Sequence, residues 1–197
     1  MNNCDFSTDT NSPEWLKYQN LKNNDTERYK FVMEGEVWWN QSGYYNNDMD
    51  KAKKMLDNDY IEKSNIVDLG SGKGQAVISF AINWRFKLVK GVEYNKKYNE
   101  ICLKNISNFP VIINKFKIIE CLAENYVFED KDNFIFMFNP FGPETLKKVM
   151  INIINSLKNY RKIYILYYNP RHGNIITETK RFNLQYKVTN NLYIYTN

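Results

Sequence analysis

Residues 66–76 read IVDLGSGKGQA. A short apolar run is interrupted by one acid, Asp68, and glycines then fall on alternate positions at 70, 72 and 74. Ile66, Val67 and Leu69 suit a buried strand. Glycine tolerates positive φ and lets backbone approach a ligand closely. The stretch therefore reads as a strand, a tight turn and the start of a helix. The bland alternative is a strand-to-helix turn with no ligand.

Working outward, the rest of the chain from about residue 59 alternates β-rich runs with helix-period stretches, the pattern of a parallel sheet flanked by helices. The expected strands are 65–69, 87–93, 115–121, 133–138, 162–168, 184–188 and 192–195. The last two lie close together around Asn190-Asn191, a hairpin spacing. After the fourth strand the clearest helix is opened by Gly142-Pro143 and carries Leu146, Val149, Met150, Ile153, Ile154 and Leu157 as one apolar stripe. Residues 1–58 differ. They hold Trp15, Trp38 and Trp39, read as helical, and form an N-terminal extension packed on the domain at 59–197. Within the extension SGYYNND, 42–48, reads as a loop, in which Tyr44 and Tyr45 are candidates to cover a ligand.

Bulk properties set limits. The 197 residues suffice for one domain with a proper core, and 43% hydrophobic with 25% charged residues is ordinary for a globular chain. A net charge of +5, with scattered lysines, fits a solvated surface better than a nucleic-acid face. Three cysteines without a C-x-x-C pair point to reduced thiols in a cytosolic setting and away from a metal site. The polar N-terminus lacks a signal-peptide core, and no apolar run approaches the ~20 residues of a membrane span.

The ligand follows from charge. In an open α/β sheet the binding crevice lies outside the carboxyl ends of the strands. A dinucleotide fingerprint would place a small residue at position 75, where this chain has Gln75. Asp68 would also oppose a pyrophosphate, because like charges in a partly buried site repel. An acid there suits an adenosine that carries cationic groups and no phosphate, as S-adenosylmethionine does. Glu93, closing the second strand ~20 residues beyond the glycines, is the expected partner of ribose hydroxyls. A nicotinamide-dependent oxidoreductase is disfavoured on the same grounds.

D-L-G-S-G-K-G followed by G-V-E closely resembles the class I S-adenosylmethionine-dependent methyltransferases, over roughly residues 50–197. The resemblance implies a three-layer Rossmann-like α/β fold, with a seven-stranded sheet ordered 3-2-1-4-5-7-6 and one strand antiparallel. It also implies cofactor contacts from Asp68, Gly70, Ser71, Gly72, Gly74 and Glu93, with Tyr94 against adenine. The adenine-reading acid found in many members is replaced by Leu122, so that Ala123 or Glu124 would serve instead. Asn139-Pro140-Phe141-Gly142 resembles the acceptor motif of amino-directed methyltransferases, in which the asparagine oxygen and the proline carbonyl accept from the target nitrogen. The closer likeness is to poorly characterised bacterial members with N-P-F-G and a later Y-x-N-P, here Tyr167 to Pro170.

Asn139 and Pro140 are thus the candidates for orienting a nucleophile, and Asn139 also lies at the cofactor. His172, the sole histidine, is a candidate general base, since its reference pKa is near neutrality; the plain alternative is a solvated loop histidine. Arg171 is a candidate for binding an anionic acceptor. The expected acceptor is a small or sugar-like molecule, methylated on nitrogen or oxygen. The alternatives are a protein lysine, reached along acids such as Asp48 or Glu124, and a non-catalytic nucleoside-binding module.

Overall fold

A computed structural model describes residues 42–107, 109, 112, 114–157 and 161–197. The expectations for Trp15, Trp38 and Trp39 lie outside the described residues. The first strand, β1 (Asn65–Leu69), is buried along its whole length and sits at the centre of the sheet. It is followed by helix α3 (Gln75–Asn83), β2 (Leu88–Glu93), α4 (Lys96–Ser107) and β3 (Phe116–Glu120). A 3-10 turn (Ala123–Asn125), β4 (Asp132–Phe138), α5 (Pro143–Asn155) and β5 (Tyr164–Tyr168) come next, then α6 (Gly173–Glu178), β6 (Asn183–Lys187) and β7 (Leu192–Thr196). Among the described residues two helices precede the sheet, α1 (Ser42–Met55) and α2 (Asn58–Lys63).

The strands are ordered β3-β2-β1-β4-β5-β7-β6, as the resemblance implied. β1 to β5 pair in parallel, whereas β7 runs antiparallel between β5 and β6. Strand ends depart from expectation by only one or two residues, where helices and strands fray.

Alternation along the central strands builds two cores. Ile66, Phe134, Phe136, Leu166 and Tyr168 face one side, against α1 to α4. Val67, Leu69, Ile135, Met137, Ile165 and Tyr167 face the other, against α5 and α6. In α5, Gly142 caps the helix and Pro143 opens it, and Leu146, Val149, Met150 and Ile153 are buried as the stripe required.

The loop expected at 42–48 is helical instead, being the first half of α1. Its glycine and asparagines are weak helix formers, but Met49, Ala52 and Leu56 bury a stripe against the first core. Tertiary packing here outweighs intrinsic propensity. Asp48 is also buried and accepts from the hydroxyls of Tyr168 (3.2 Å) and Thr189 (2.9 Å), which pins α1 to β5 and to the β6–β7 turn.

A further correction concerns the lysines, expected on a solvated surface. Lys90, in the middle of β2, is 0% exposed. Its ammonium meets Asp132 at 2.7 Å and Glu129 at 2.9 Å, and contacts the Tyr126 hydroxyl at 3.2 Å. Asp132, itself 0% exposed, accepts from Asn65, from the Tyr126 hydroxyl and from the Glu129 backbone N–H. The whole cluster sits at the amino ends of the strands, opposite the expected crevice.

Candidate active site

The glycine turn is built by its neighbours. Gly70 and Ser71 donate their backbone N–H groups to the Val92 carbonyl, which ties the turn to β2. Gly70, Gly72 and Gly74 all have positive φ, at 78°, 52° and 89°. The surroundings of the three glycines differ in kind. A Cβ on Gly70 would lie 2.6 Å from the Pro140 Cβ, and one on Gly74 would strike the Cys102 thiol. A Cβ on Gly72 would meet nothing within 4 Å, so that face of the turn is open. Ser71 turns its hydroxyl down onto Gly91, where it is buried without a partner. Ser71 and Gly74 thus shape the turn, while Gly70 joins it to the Asn139-Pro140 segment and Gly72 offers backbone to the crevice.

Asp68 and Glu93 share one face of the sheet. Asp68 pairs in register with Gly91, two residues before Glu93, which places the acids as diagonal neighbours on adjacent strands. Glu93 accepts from the Gly72 N–H at 3.0 Å and from the Asn95 N–H at 2.9 Å. It braces the turn as well as facing the crevice, and each oxygen keeps a second lone pair. Asp68 is buried, and no basic side chain pairs with it among the described residues. Burial first, and the Glu93 charge second, push its pKa up to about 8.

Residues that the sequence reading did not single out hold this arrangement. Asn99 donates to the Glu93 carbonyl, and Asn105 donates to the Lys73 carbonyl. Asn95 caps α4 by accepting from the N–H groups of Lys97 and Tyr98. An asparagine-rich stretch, 95–105, was the available signal. Asn99 leaves its side-chain oxygen buried and unpaired.

Tyr94 projects from the end of β2 and is 67% exposed. Leu122 is also exposed, at the end of β3, whereas Ala123 buries its methyl in the second core as the 3-10 turn begins. Glu124 lies 3.7 Å from Lys148.

β4 delivers Asn139 in a left-handed conformation, φ 44°, and β5 delivers Asn169 in the same way, φ 51°. Asparagine is among the few residues that tolerate this region. Phe138 and Tyr168, register partners at the two strand ends, stack at 4.7 Å. The Tyr167 hydroxyl donates to the Asn139 side-chain oxygen at 2.9 Å. Burial raises the Tyr167 pKa, and the nearby His172 backbone offsets part of that rise. His172 is at the N-terminal cap of α6. The structure therefore brings Asn139, Pro140, Tyr167 and the His172 backbone together beside the glycine turn.

No family model matches this chain, and no curated protein matches it. Solved structures do. A Methanococcus maripaludis protein assigned as an S-adenosyl-L-methionine-dependent methyltransferase superposes with a TM-score of 0.54 at 17% identity, covering 83% of this chain and 94% of its own. Precorrin-6y C5,15-methyltransferase from Geobacter metallireducens gives 0.56 at 14% identity, covering 82% and 90%. An RNA methyltransferase from Salinibacter ruber, in complex with S-adenosyl-L-homocysteine, gives 0.55 at 14% identity, covering 77% and 88%. This chain has the fold of these methyltransferases. Their named acceptors differ, so the fold is compatible with several.

Among the described residues no cluster of His, Cys, Asp and Glu is placed to hold a metal ion. None of the described helices is long and apolar enough to cross a membrane.

Proposed function

We propose that this chain is an S-adenosylmethionine-dependent methyltransferase. One observation carries the reading: Asp68, a buried carboxylate with no basic partner among the described residues, stands beside Glu93 at the open face of a glycine turn. Burying a carboxylate costs several kcal/mol unless a cation or hydrogen bonds compensate. A ligand bearing an ammonium and a sulfonium supplies that compensation, and a pyrophosphate makes it worse. The donor set fits such a ligand. Asp68 would favour its amino group, Gly70 and Gly72 would admit it against backbone, and Glu93 would hold the ribose through its remaining lone pairs. Tyr94 and Leu122, both exposed beside this crevice, offer apolar surface to adenine, with the backbone at Ala123 next to them.

The cofactor would supply an activated methyl group. The protein's part is to exclude water and hold the acceptor in line at ~3–3.5 Å. Asn139 and Pro140, packed on Gly70, are the groups proposed to orient the acceptor, with the His172 side chain or water taking a proton. The acceptor is proposed to be a small or sugar-like molecule. The lysine alternative is weaker here, because Asp48 is buried and engaged by Tyr168 and Thr189, while Glu124 faces Lys148.

Calorimetric titration with S-adenosylmethionine and, separately, NADH tests the cofactor. Binding of the first and not the second is expected; a preference for NADH would end this reading. Transfer of labelled methyl groups into fractions of a cell extract separates an enzyme from a module that only binds the nucleoside.

A further inference from the structure

Asn139 has a counterpart on the neighbouring strand. Phe138 and Tyr168 are register partners at the ends of β4 and β5, and each is followed by an Asn-Pro pair, Asn139-Pro140 and Asn169-Pro170. Adjacent strands lie ~4.8 Å apart. The two asparagines therefore leave the sheet side by side, both at positive φ, 44° and 51°. Glycine would meet that conformation at lower cost. Asparagine is favoured in turns when its side chain hydrogen-bonds nearby backbone, and Asn169 makes no such bond. Its carboxamide has no hydrogen-bond partner among the described residues; it stands half-buried, with both polar atoms reaching solvent at the carboxyl end of the sheet. Neither backbone ease nor local turn bonding accounts for an asparagine here.

The backbone beneath this side chain is braced. The Asn169 N–H donates to the Asn191 carbonyl at 2.6 Å, and the Asn169 carbonyl accepts from the Arg171 N–H at 2.8 Å. The Asn191 and Leu192 N–H groups donate to the Thr189 hydroxyl oxygen, each at 3.2 Å. That hydroxyl donates in turn to the buried Asp48 at 2.9 Å. Pro170 restricts φ just after the asparagine. A carboxamide without an internal partner, on backbone held this firmly, is already ordered for a partner from outside the chain.

We propose that Asn169 is a second acceptor-binding residue, which with Asn139 holds one acceptor at two points across the ends of β4 and β5. The proposal rests on the methyltransferase reading above. One hydrogen bond leaves a bound molecule free to turn about it, and two fix its direction. In-line attack on a methyl carbon needs that direction. Each carboxamide can donate and accept, so the pair meets two hydrogen-bonding groups, or two N–H or O–H bonds, at the reactive end of the acceptor. Thr189 is the positioning residue behind Asn169, since its hydroxyl joins the 189–192 turn to Asp48.

Asn169→Gly separates the two roles of the residue, because it relieves the backbone and removes the carboxamide. Full-length protein is incubated with methyl-tritiated S-adenosylmethionine and a dilution series of each fraction of a cell extract. In the fraction that takes label, the glycine variant is expected to need about tenfold more extract for half-saturation, the scale of one lost hydrogen bond. Its melting temperature should be unchanged or higher, and its S-adenosylmethionine Kd unchanged. Half-saturation and maximal rate equal to the wild type would mean that Asn169 serves the backbone alone, and would overturn the proposal. A weakened S-adenosylmethionine Kd would also overturn it, by placing Asn169 at the cofactor. A wild-type chain that labels no fraction defeats the methyltransferase reading, and the proposal with it. Nuclear magnetic resonance gives a readout without turnover. The 15N-labelled full chain is saturated with S-adenosylhomocysteine, and Asn169→Asp, which tolerates the same backbone, identifies the Asn169 side-chain amide by its loss. Adding the fraction that takes label should shift that amide; an unmoved signal overturns the proposal. Thr189→Val should raise the half-saturating amount and Thr189→Ser restore it, whereas equal values in both would remove Thr189 from the scheme.

Discussion

The two ends of the sheet each bury an aspartate, and they treat it in opposite ways. At the amino ends of the strands Asp132 is surrounded by Lys90, Tyr126, Asn65 and the Glu129 backbone. At the carboxyl ends Asp68 has another acid beside it and no basic partner among the described residues. The same side chain therefore serves stability at one end and is left in deficit at the other. A buried charge completed from within is structure. A buried charge left incomplete beside an open glycine turn is the mark of a ligand site.

Substitutions that swap these roles test the contrast. The largest effect is expected at Lys90→Met, which leaves Asp132 buried without its ammonium. Loss of one partner of such a pair costs about 3–5 kcal/mol, and chemical denaturation measures it. Unchanged stability would mean that the amino-end cluster contributes nothing.

Asp68→Asn should do the reverse. Because the folded-state pKa is raised to about 8 from an ordinary 3.8, the folded chain holds a proton that the unfolded chain releases. Its contribution to stability is complete below about pH 3.8 and is lost as pH climbs to about 8. Removing the ionisable group at pH 8 should then raise the melting temperature of the free protein. The same change should weaken S-adenosylmethionine binding by about 100-fold. Loss of both stability and binding would show that Asp68 is structural, like Asp132.

Proton linkage sharpens the comparison without mutation. A cationic ligand must draw Asp68 into its ionised form, so affinity should rise from pH 6 to about 8 and then level, by up to ~tenfold per pH unit. Titrations in buffers of different ionisation enthalpy should detect up to one proton released at pH 7; none would contradict the assignment of Asp68. Gly70→Ala sets a side chain against Pro140 at positive φ and should cost about 1–3 kcal/mol, read as a lowered melting temperature. The smallest effect is expected from Glu93→Gln, which keeps one acceptor oxygen for the turn and loses the other. Cofactor affinity should fall roughly tenfold, and the melting temperature should fall modestly as the new amide N–H groups face a backbone N–H.

Much of the carboxyl end could be read directly. The strand at 65–69, the glycines and Glu93 lie within 30 residues, and each has a local reason for its residue type. The stripe of α5 was equally plain, because helical spacing is visible in any window of the chain. Lys90 was not. Its partners are some 40 residues away, and nothing in Lys-Leu-Val-Lys-Gly-Val-Glu separates a lysine bound for an ion pair from one bound for solvent. The Tyr167–Asn139 bond was hidden for the same reason: it joins two strands that only the sheet brings together. Helix α1 failed the other way, since Gly43 and its asparagines argue locally for a turn that the core overrules.

The insertion of β7 between β5 and β6 has a consequence for how the molecule is made. β5, Tyr-Ile-Leu-Tyr-Tyr, is translated well before residues 192–196 exist to cover its free edge. During that interval an aromatic strand with unsatisfied backbone groups faces the solvent of the cell, an invitation to pair with a neighbouring nascent chain. Synthesis halted in this window would yield a polypeptide with nearly every core residue present and its stickiest border unsealed.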